Sequence, residues 1–118
     1  LKLSVVIPAH NEAGCIRETI TALVTALRRE KIPCEIVVVN DNSNDETVEI
    51  LDTLSERFPE CRRVDNEPPN GFGFAVRRGL REFSGDAVAV YMADASDHPE
   101  DLIAFYREMV AGDYDWVF

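Results

Sequence analysis

Apolar positions along the chain switch between two spacings. Leu3-Ser4-Val5-Val6-Ile7 and Cys34-Glu35-Ile36-Val37-Val38-Val39 are short, nearly continuous runs rich in β-branched residues, the pattern of strands covered on both faces. The first stops at Pro8 and gives way to a loop, Pro8-Ala9-His10-Asn11-Glu12. From Ala13 to about Glu30, apolar residues then recur at Ile16, Ile20, Leu23, Val24 and Leu27, which is helical spacing with charges opposite. Lys31-Ile32-Pro33 breaks that helix. The second run ends in Asn40-Asp41-Asn42-Ser43-Asn44-Asp45, a polar turn able to cap a helix from Glu46 to about Phe58.

The later half repeats the alternation. Cys61 to Val64 carries a weaker strand pattern, and Asn66-Glu67-Pro68-Pro69-Asn70-Gly71 reads as a loop. Gly71-Phe72-Gly73 opens a helix that ends near Phe83, with Gly85 as its stop. An apolar run from Val88 ends abruptly at Asp94 and Asp97, and Pro99 opens a helix to about Val110. Gly112-Asp113-Tyr114 is a turn before a fifth strand at Asp115-Trp116-Val117-Phe118. Strands alternating with helices predict an α/β fold, a doubly wound, mostly parallel sheet with helices on both faces. Residues 1–118 form one domain without repeats or linkers. The fifth strand is cut off without a turn or tail, so the domain is expected to continue beyond residue 118.

Composition narrows the partners. A chain of 118 residues, 46% hydrophobic, supports one core. No apolar run reaches bilayer-spanning length and no basic leader precedes one, which predicts neither a membrane helix nor a signal peptide. A formal net charge of -10 disfavours nucleic acid, and it means that an anionic small ligand needs a metal or a local arginine cluster. Cys15, Cys34 and Cys61 are odd in number, with no CxxC pair and no histidine at ligand spacing, as expected of reduced thiols in a cytosolic domain.

Carboxylates follow three of the strands: Glu12 after the first, Asp41 after the second, Asp94 and Asp97 after the fourth. A parallel sheet brings those strand ends to one edge, where ligands of open α/β sheets bind. Asp94 and Asp97 on a short turn are hard oxygen ligands suited to Mg2+ or Mn2+ that also meets phosphate oxygens. Each acid has a plainer reading. Asp97 equally suits a cap on the following helix, Asp94 a solvated turn, Asp41 an Asx-turn, and Glu12 a first-turn acid favoured by the helix dipole. Gly71 and Gly73 before a helix allow close backbone approach to a phosphate, or form an ordinary loop. Arg77 and Arg78 offer countercharge, although a helix lets only one face the site; His10 and His98 stay open between ligand and surface roles. The glycine fingerprint of dinucleotide-binding domains is absent after the first strand. Only Lys2 and Lys31 are present as lysines, which disfavours a phosphoacceptor receiver domain.

Taken in order, Val5-Val6-Ile7-Pro8-Ala9-His10-Asn11-Glu12, Val37-Val38-Val39-Asn40-Asp41-Asn42-Ser43-Asn44-Asp45, Asn70-Gly71-Phe72-Gly73, Gly85-Asp86 and Met92-Ala93-Asp94-Ala95-Ser96-Asp97 resemble the family 2 inverting glycosyltransferases. The chain looks most like their dolichyl-phosphate or polyprenyl-phosphate mannosyltransferase group, over essentially its whole length. The resemblance implies a truncated GT-A fold, the nucleotide-sugar-binding part of a hexosyltransferase. Its donor would be GDP-mannose or UDP-glucose and its acceptor a polyprenyl phosphate or similar. Pro8, Ala9, Glu12 and Asp41 would line the nucleoside pocket, and Asp94, with Asp97 as a second candidate, would belong to the Mg2+ or Mn2+ and diphosphate site. The group's Asp-x-Asp pattern, aligned on His98-Pro99, falls on Ala93 and Ala95, so the acids here are displaced to a Met-Ala-Asp-x-Ser-Asp variant. The general base would lie past residue 118, so this part alone is expected to be inactive. A location in the cytoplasm or at the cytoplasmic face of a membrane follows, with membrane contact through regions outside this chain. The alternative is a nucleotide-sugar-binding module without catalysis.

Overall fold

A computed structural model describes residues 1–112, so the expected fifth strand and most of the turn before it lie outside the described residues. In chain order the elements are β1 (Leu3–Ala9), α1 (Ile16–Arg29), β2 (Cys34–Asn40), α2 (Thr47–Arg57), β3 (Cys61–Asp65), α3 (Phe72–Glu82), β4 (Ala87–Val90) and α4 (Pro99–Gly112). Every pairing is parallel and the strand order is β3-β2-β1-β4. The chain steps outward from β1 to β3, then returns to place β4 on the other side of β1.

Crossovers of one hand account for the helix positions. Steps in one direction put α1 and α2 on one face, and the reversed step puts α3 on the other. Side chains alternate accordingly. Val5, Ile7, Ile36 and Val38 point into the larger core with Ile16, Ile20, Leu23 and Leu27 of α1, all fully buried, and α4 adds Leu102 and Ile103. Val6, Val37, Val39 and Val64 face the opposite way against Ala75 of α3. Two covered faces explain why β1 and β2 read as near-continuous apolar runs.

Pro8 does not end β1; it stays in register opposite Val39, and the strand runs on to Ala9. The reason lies in the alternation of bonding partners. The Val6 carbonyl accepts from Tyr91 N–H on the β4 side, whereas the Ala9 carbonyl accepts from Asp41 N–H on the β2 side. Pro8 therefore turns its missing donor towards β4, which has already ended at Val90 opposite Val6, and no ladder bond is lost. The Lys31 break is equally local. Lys31 takes a left-handed φ of 56°, and the N–H groups of Lys31 and Ile32 close the last turn on the carbonyls of Arg28 and Leu27, both at 3.0 Å.

At the opposite end of the sheet from the candidate site, Glu35 is a buried acid inside an otherwise apolar strand. Burial alone would raise its carboxyl. It is outweighed by hydrogen bonds from the Ser4 hydroxyl at 2.6 Å and from the Ser84 N–H and hydroxyl, with the Lys2 charge nearby, so the carboxyl is held down at about 2. A depressed carboxyl pKa stabilises the fold above the ordinary value near 4.5, and that contribution disappears as pH falls from there through about 2. The stability gap between the native protein and Glu35→Gln is accordingly expected to narrow over that interval by up to roughly 3 kcal/mol. Urea unfolding of both proteins across the acid range measures it, and a gap independent of pH would count against the assignment.

Candidate active site

The carboxyl ends of β1, β2 and β4 share one edge of the sheet, and a cleft of about 500 Å3 opens there above β1, the strand about which the order reverses. Pro8 and Ala9 form its floor, Glu12 and Asp41 line one side, and Gly71 with Phe72, Met92 and Ala93 complete it. The two loops beside it hold each other. Asn11 and Asn42 adopt left-handed φ values of 52° and 55°, a conformation asparagine tolerates. Asn11 N–H donates to the Ser43 hydroxyl at 3.1 Å, and its side-chain oxygen accepts from Asn44 N–H at 2.7 Å. Glu12 N–H donates to the Thr47 hydroxyl at 2.9 Å and Ala13 N–H to the Asp45 carboxylate at 3.2 Å.

Asp41 is the buried junction of the site. One carboxylate oxygen accepts from Gly71 N–H at 2.8 Å, and the other accepts from the Asn66 side-chain amide at 3.0 Å. Its carbonyl accepts from His10 Nδ1–H at 2.6 Å. A carbonyl cannot donate, so that contact fixes the proton on Nδ1 and leaves Nε2 as the second functional atom of the ring, 3.3 Å from the Asn11 amide. Gly71, at φ 134°, occupies backbone space reserved for glycine and starts α3 without a side-chain cap. Its own N–H is taken by Asp41, so the free donors at this helix start are those of the next residues.

Glu12 stands in concentrated negative charge. Its carboxyl is raised by burial first, then by the charges of Asp94 and Asp45, with His10 working against them. Asp94 is exposed, and its carboxyl is lowered by the Ser96 hydroxyl and by Ser96 N–H, which donates to Oδ1 at 3.0 Å. That turn is held with Ala95 at a left-handed φ of 66°. Asp97 goes elsewhere. It neither caps α4, where the His98 carbonyl accepts the first N–H groups, nor lines the cleft. Its Oδ2 accepts from Met92 N–H at 2.9 Å and its carbonyl accepts from the Tyr91 hydroxyl at 3.2 Å, which ends β4 early and braces the loop.

The structure thus brings Pro8, Ala9, Glu12, Asp41 and Gly71 together and leaves Asp94, Asp97, Gly73 and Arg77 outside the cleft lining, Asp94 close enough for its charge to act on Glu12. The Arg77 guanidinium lies 5.9 Å from the Phe74 ring and Arg78 pairs with Glu82 at 3.1 Å. Asn66 was not singled out by the sequence, because only its approach to Asp41 gives it a role. The cysteines are unpaired, and burial pushes the Cys34 and Cys61 thiols up to about 11.

No group of three or more histidine, cysteine or acidic side chains is arranged to hold a metal among the described residues. That is compatible with Mg2+ or Mn2+, which bind through one or two carboxylates and ligand phosphates rather than in an all-protein cage. Asp94 fits such a role: it is ionised and exposed, and its Oδ2 makes no hydrogen bond within the described residues. The charge around Glu12 adds a reason, since a diphosphate entering this edge meets acids unless a cation accompanies it.

The fold is an α/β domain of GT-A type, with its cleft at the carboxyl edge of the parallel sheet. The chain belongs to glycosyl transferase family 2, whose sequence model matches residues 4–118. It is 43% identical over 108 residues to "Probable glycosyltransferase YdaM" of Bacillus subtilis, covering 89% of this chain and 25% of that protein. It is 35% identical over 115 residues to a dolichol-phosphate mannosyltransferase of Pyrococcus furiosus, covering 98% and 32%. Among solved structures, a mannosyltransferase of Pyrobaculum calidifontis in complex with GDP-Man and Mn2+ superposes with a TM-score of 0.76 at 26% identity, over 91% of this chain and 32% of that one. The chain spans a quarter to a third of the length of these curated relatives.

Proposed function

We propose that residues 1–118 are the donor-binding part of a hexosyltransferase domain that continues past residue 118. The domain would move mannose or glucose from GDP-mannose or UDP-glucose to a polyprenyl phosphate or similar acceptor. The observation carrying this reading is the meeting of Glu12 and Asp41, distant in sequence, in one cleft at one sheet edge, with Asp94 near enough for its charge to act on Glu12. The Pyrococcus relative supports mannose and a lipid phosphate, and the Pyrobaculum neighbour supports GDP-mannose with Mn2+.

Pro8 and Ala9 form the floor under the nucleoside, Asp41 holds the Gly71 turn against it, and Glu12 accepts from base or ribose. The α3 start faces the diphosphate, Gly71 allowing close backbone approach and the N–H groups after it, Gly73 among them, serving as donors. Asp94 would hold Mg2+ or Mn2+, with Asp97, whose Oδ2 is engaged by Met92 N–H, as the second candidate. The bound metal would supply positive charge to a departing nucleoside diphosphate. In the inverting reaction the anomeric C–O bond breaks with its electron pair on the diphosphate. The acceptor oxygen attacks from the opposite face; a phosphate oxygen attacks as the anion, and a protonated acceptor passes its proton to a base contributed by the later part of the domain. A lipid-linked acceptor places the full protein at the cytoplasmic face of a membrane, although no helix among the described residues is long and apolar enough to cross one.

Calorimetric titration of GDP and UDP with Mn2+ and in EDTA tests the reading. Nucleoside diphosphate is expected to bind with Mn2+ and to lose at least about tenfold in affinity in EDTA or in Asp94→Ala, the loss of one charge-assisted contact. Equal binding in EDTA would remove the metal from the proposal, and no binding of either nucleotide would remove the donor site.

A further inference from the structure

Helix α3 is built inside out. Its inward positions are small, Ala75 and Gly79, both buried against Val6 and Val39. Its outward positions are large: Phe74 and Leu80 are each 42% exposed, and Arg77 and Arg81 are exposed between them. At helical spacing these four residues share the side opposite Ala75 and Gly79, and the Arg77 guanidinium rests 5.9 Å from the Phe74 ring. Arg78 is occupied by Glu82, but Arg77 and Arg81 form no ion pair among the described residues. On a chain of net charge -10, this face carries two free cations interleaved with two apolar side chains.

We propose that the outer face of α3 docks on an anionic lipid bilayer, with Phe74 and Leu80 inserted among the headgroups and Arg77 and Arg81 on lipid phosphates. The shape favours a bilayer over a peptide. Peptides and small molecules occupy grooves, and none of Phe74, Arg77, Leu80 and Arg81 lines a described cavity. A convex helix side with apolar tips and long cationic stems meets a planar interface instead. Charge complementarity selects the lipid and the orientation. Screening confines the attraction to about 8–10 Å, so the basic face can approach an anionic surface while the acidic remainder is held away. Phe72, at the start of the same helix, borders the cleft, so docking brings the cleft mouth to the lipid. This suits a lipid-linked acceptor but stands without it.

Co-sedimentation with phosphatidylcholine vesicles, with and without added phosphatidylglycerol, tests the proposal. The protein is expected to bind the phosphatidylglycerol vesicles and to release them as salt rises. Arg81→Glu changes the face by two charges and should weaken partitioning about thirtyfold, and Phe74→Ser with Leu80→Ser at least about tenfold. GDP or UDP titration of the same variants should be unchanged, which separates this face from the donor site. Absence of binding, equal binding to neutral vesicles, unaltered binding by both variants, or equally tight binding to soluble polyglutamate would each overturn it.

Discussion

Gly79→Ala is expected to lower the unfolding free energy by roughly 2 kcal/mol, although the same change in an exposed helix stabilises by about 1 kcal/mol. A methyl group at Gly79 would overlap Val6 Cγ1 and stand 3.2 Å from Val39 Cγ2. Val6 is fully buried in a central strand, and as a β-branched residue it has little rotamer freedom to retreat. Either α3 lifts off the sheet or Val6 strains. The displacement would propagate to Gly71 and the cleft, because the helix starts there. Val6→Ala removes the obstructing methyls. Combined with Gly79→Ala it should therefore be less damaging than the sum of the two single changes, a coupling of at least about 1 kcal/mol in a urea double-mutant cycle. Strict additivity would mean that Gly79 is not the point of close approach.

What the sequence disclosed was set by how local each cause is. The α1 helix was legible because Ile16, Ile20, Leu23, Val24 and Leu27 carry their own periodicity, and all are fully buried. The parallel sheet was legible from the alternation of element types, and the meeting of the acids followed from it. The strand order was not, since no local signal tells β4 to return beside β1. Pro8 marked a strand end by its own chemistry, but the length of β4 decided the matter. Glu35 looked like an acid in an apolar run; its partners Ser4 and Ser84 lie 31 and 49 residues away. Asp97 was ambiguous for a similar reason. Ligand, cap and loop brace all use a carboxylate, and only Met92 N–H at 2.9 Å selects the brace.

Asp41 shows where a binding role and a structural role share one side chain, and substitution there should have the largest effect on the cleft. Both carboxylate oxygens already accept bonds, from Gly71 N–H at 2.8 Å and from the Asn66 amide at 3.0 Å. Each oxygen keeps a further lone pair. Asp41→Ala leaves two donors without partners in a mostly buried place and is expected to destabilise the protein by about 2–4 kcal/mol. Asp41→Asn is the sharper probe. It keeps the volume but replaces one acceptor with an NH2 group, which either faces Gly71 N–H, donor against donor, or makes the Asn66 amide turn over and give up its 3.4 Å bond to the Pro69 carbonyl. In that variant Gly71 should lose part of its hydrogen-exchange protection, and nucleoside diphosphate affinity should fall at least about tenfold, since the charge-assisted bond to Gly71 N–H at the cleft wall becomes a neutral one or is lost. Adding Asn66→Asp offers the asparagine NH2 an acceptor and should recover part of the exchange protection. If protection at Gly71 and nucleotide affinity both survive Asp41→Asn, the carboxylate neither holds the α3 start nor contributes to the donor pocket.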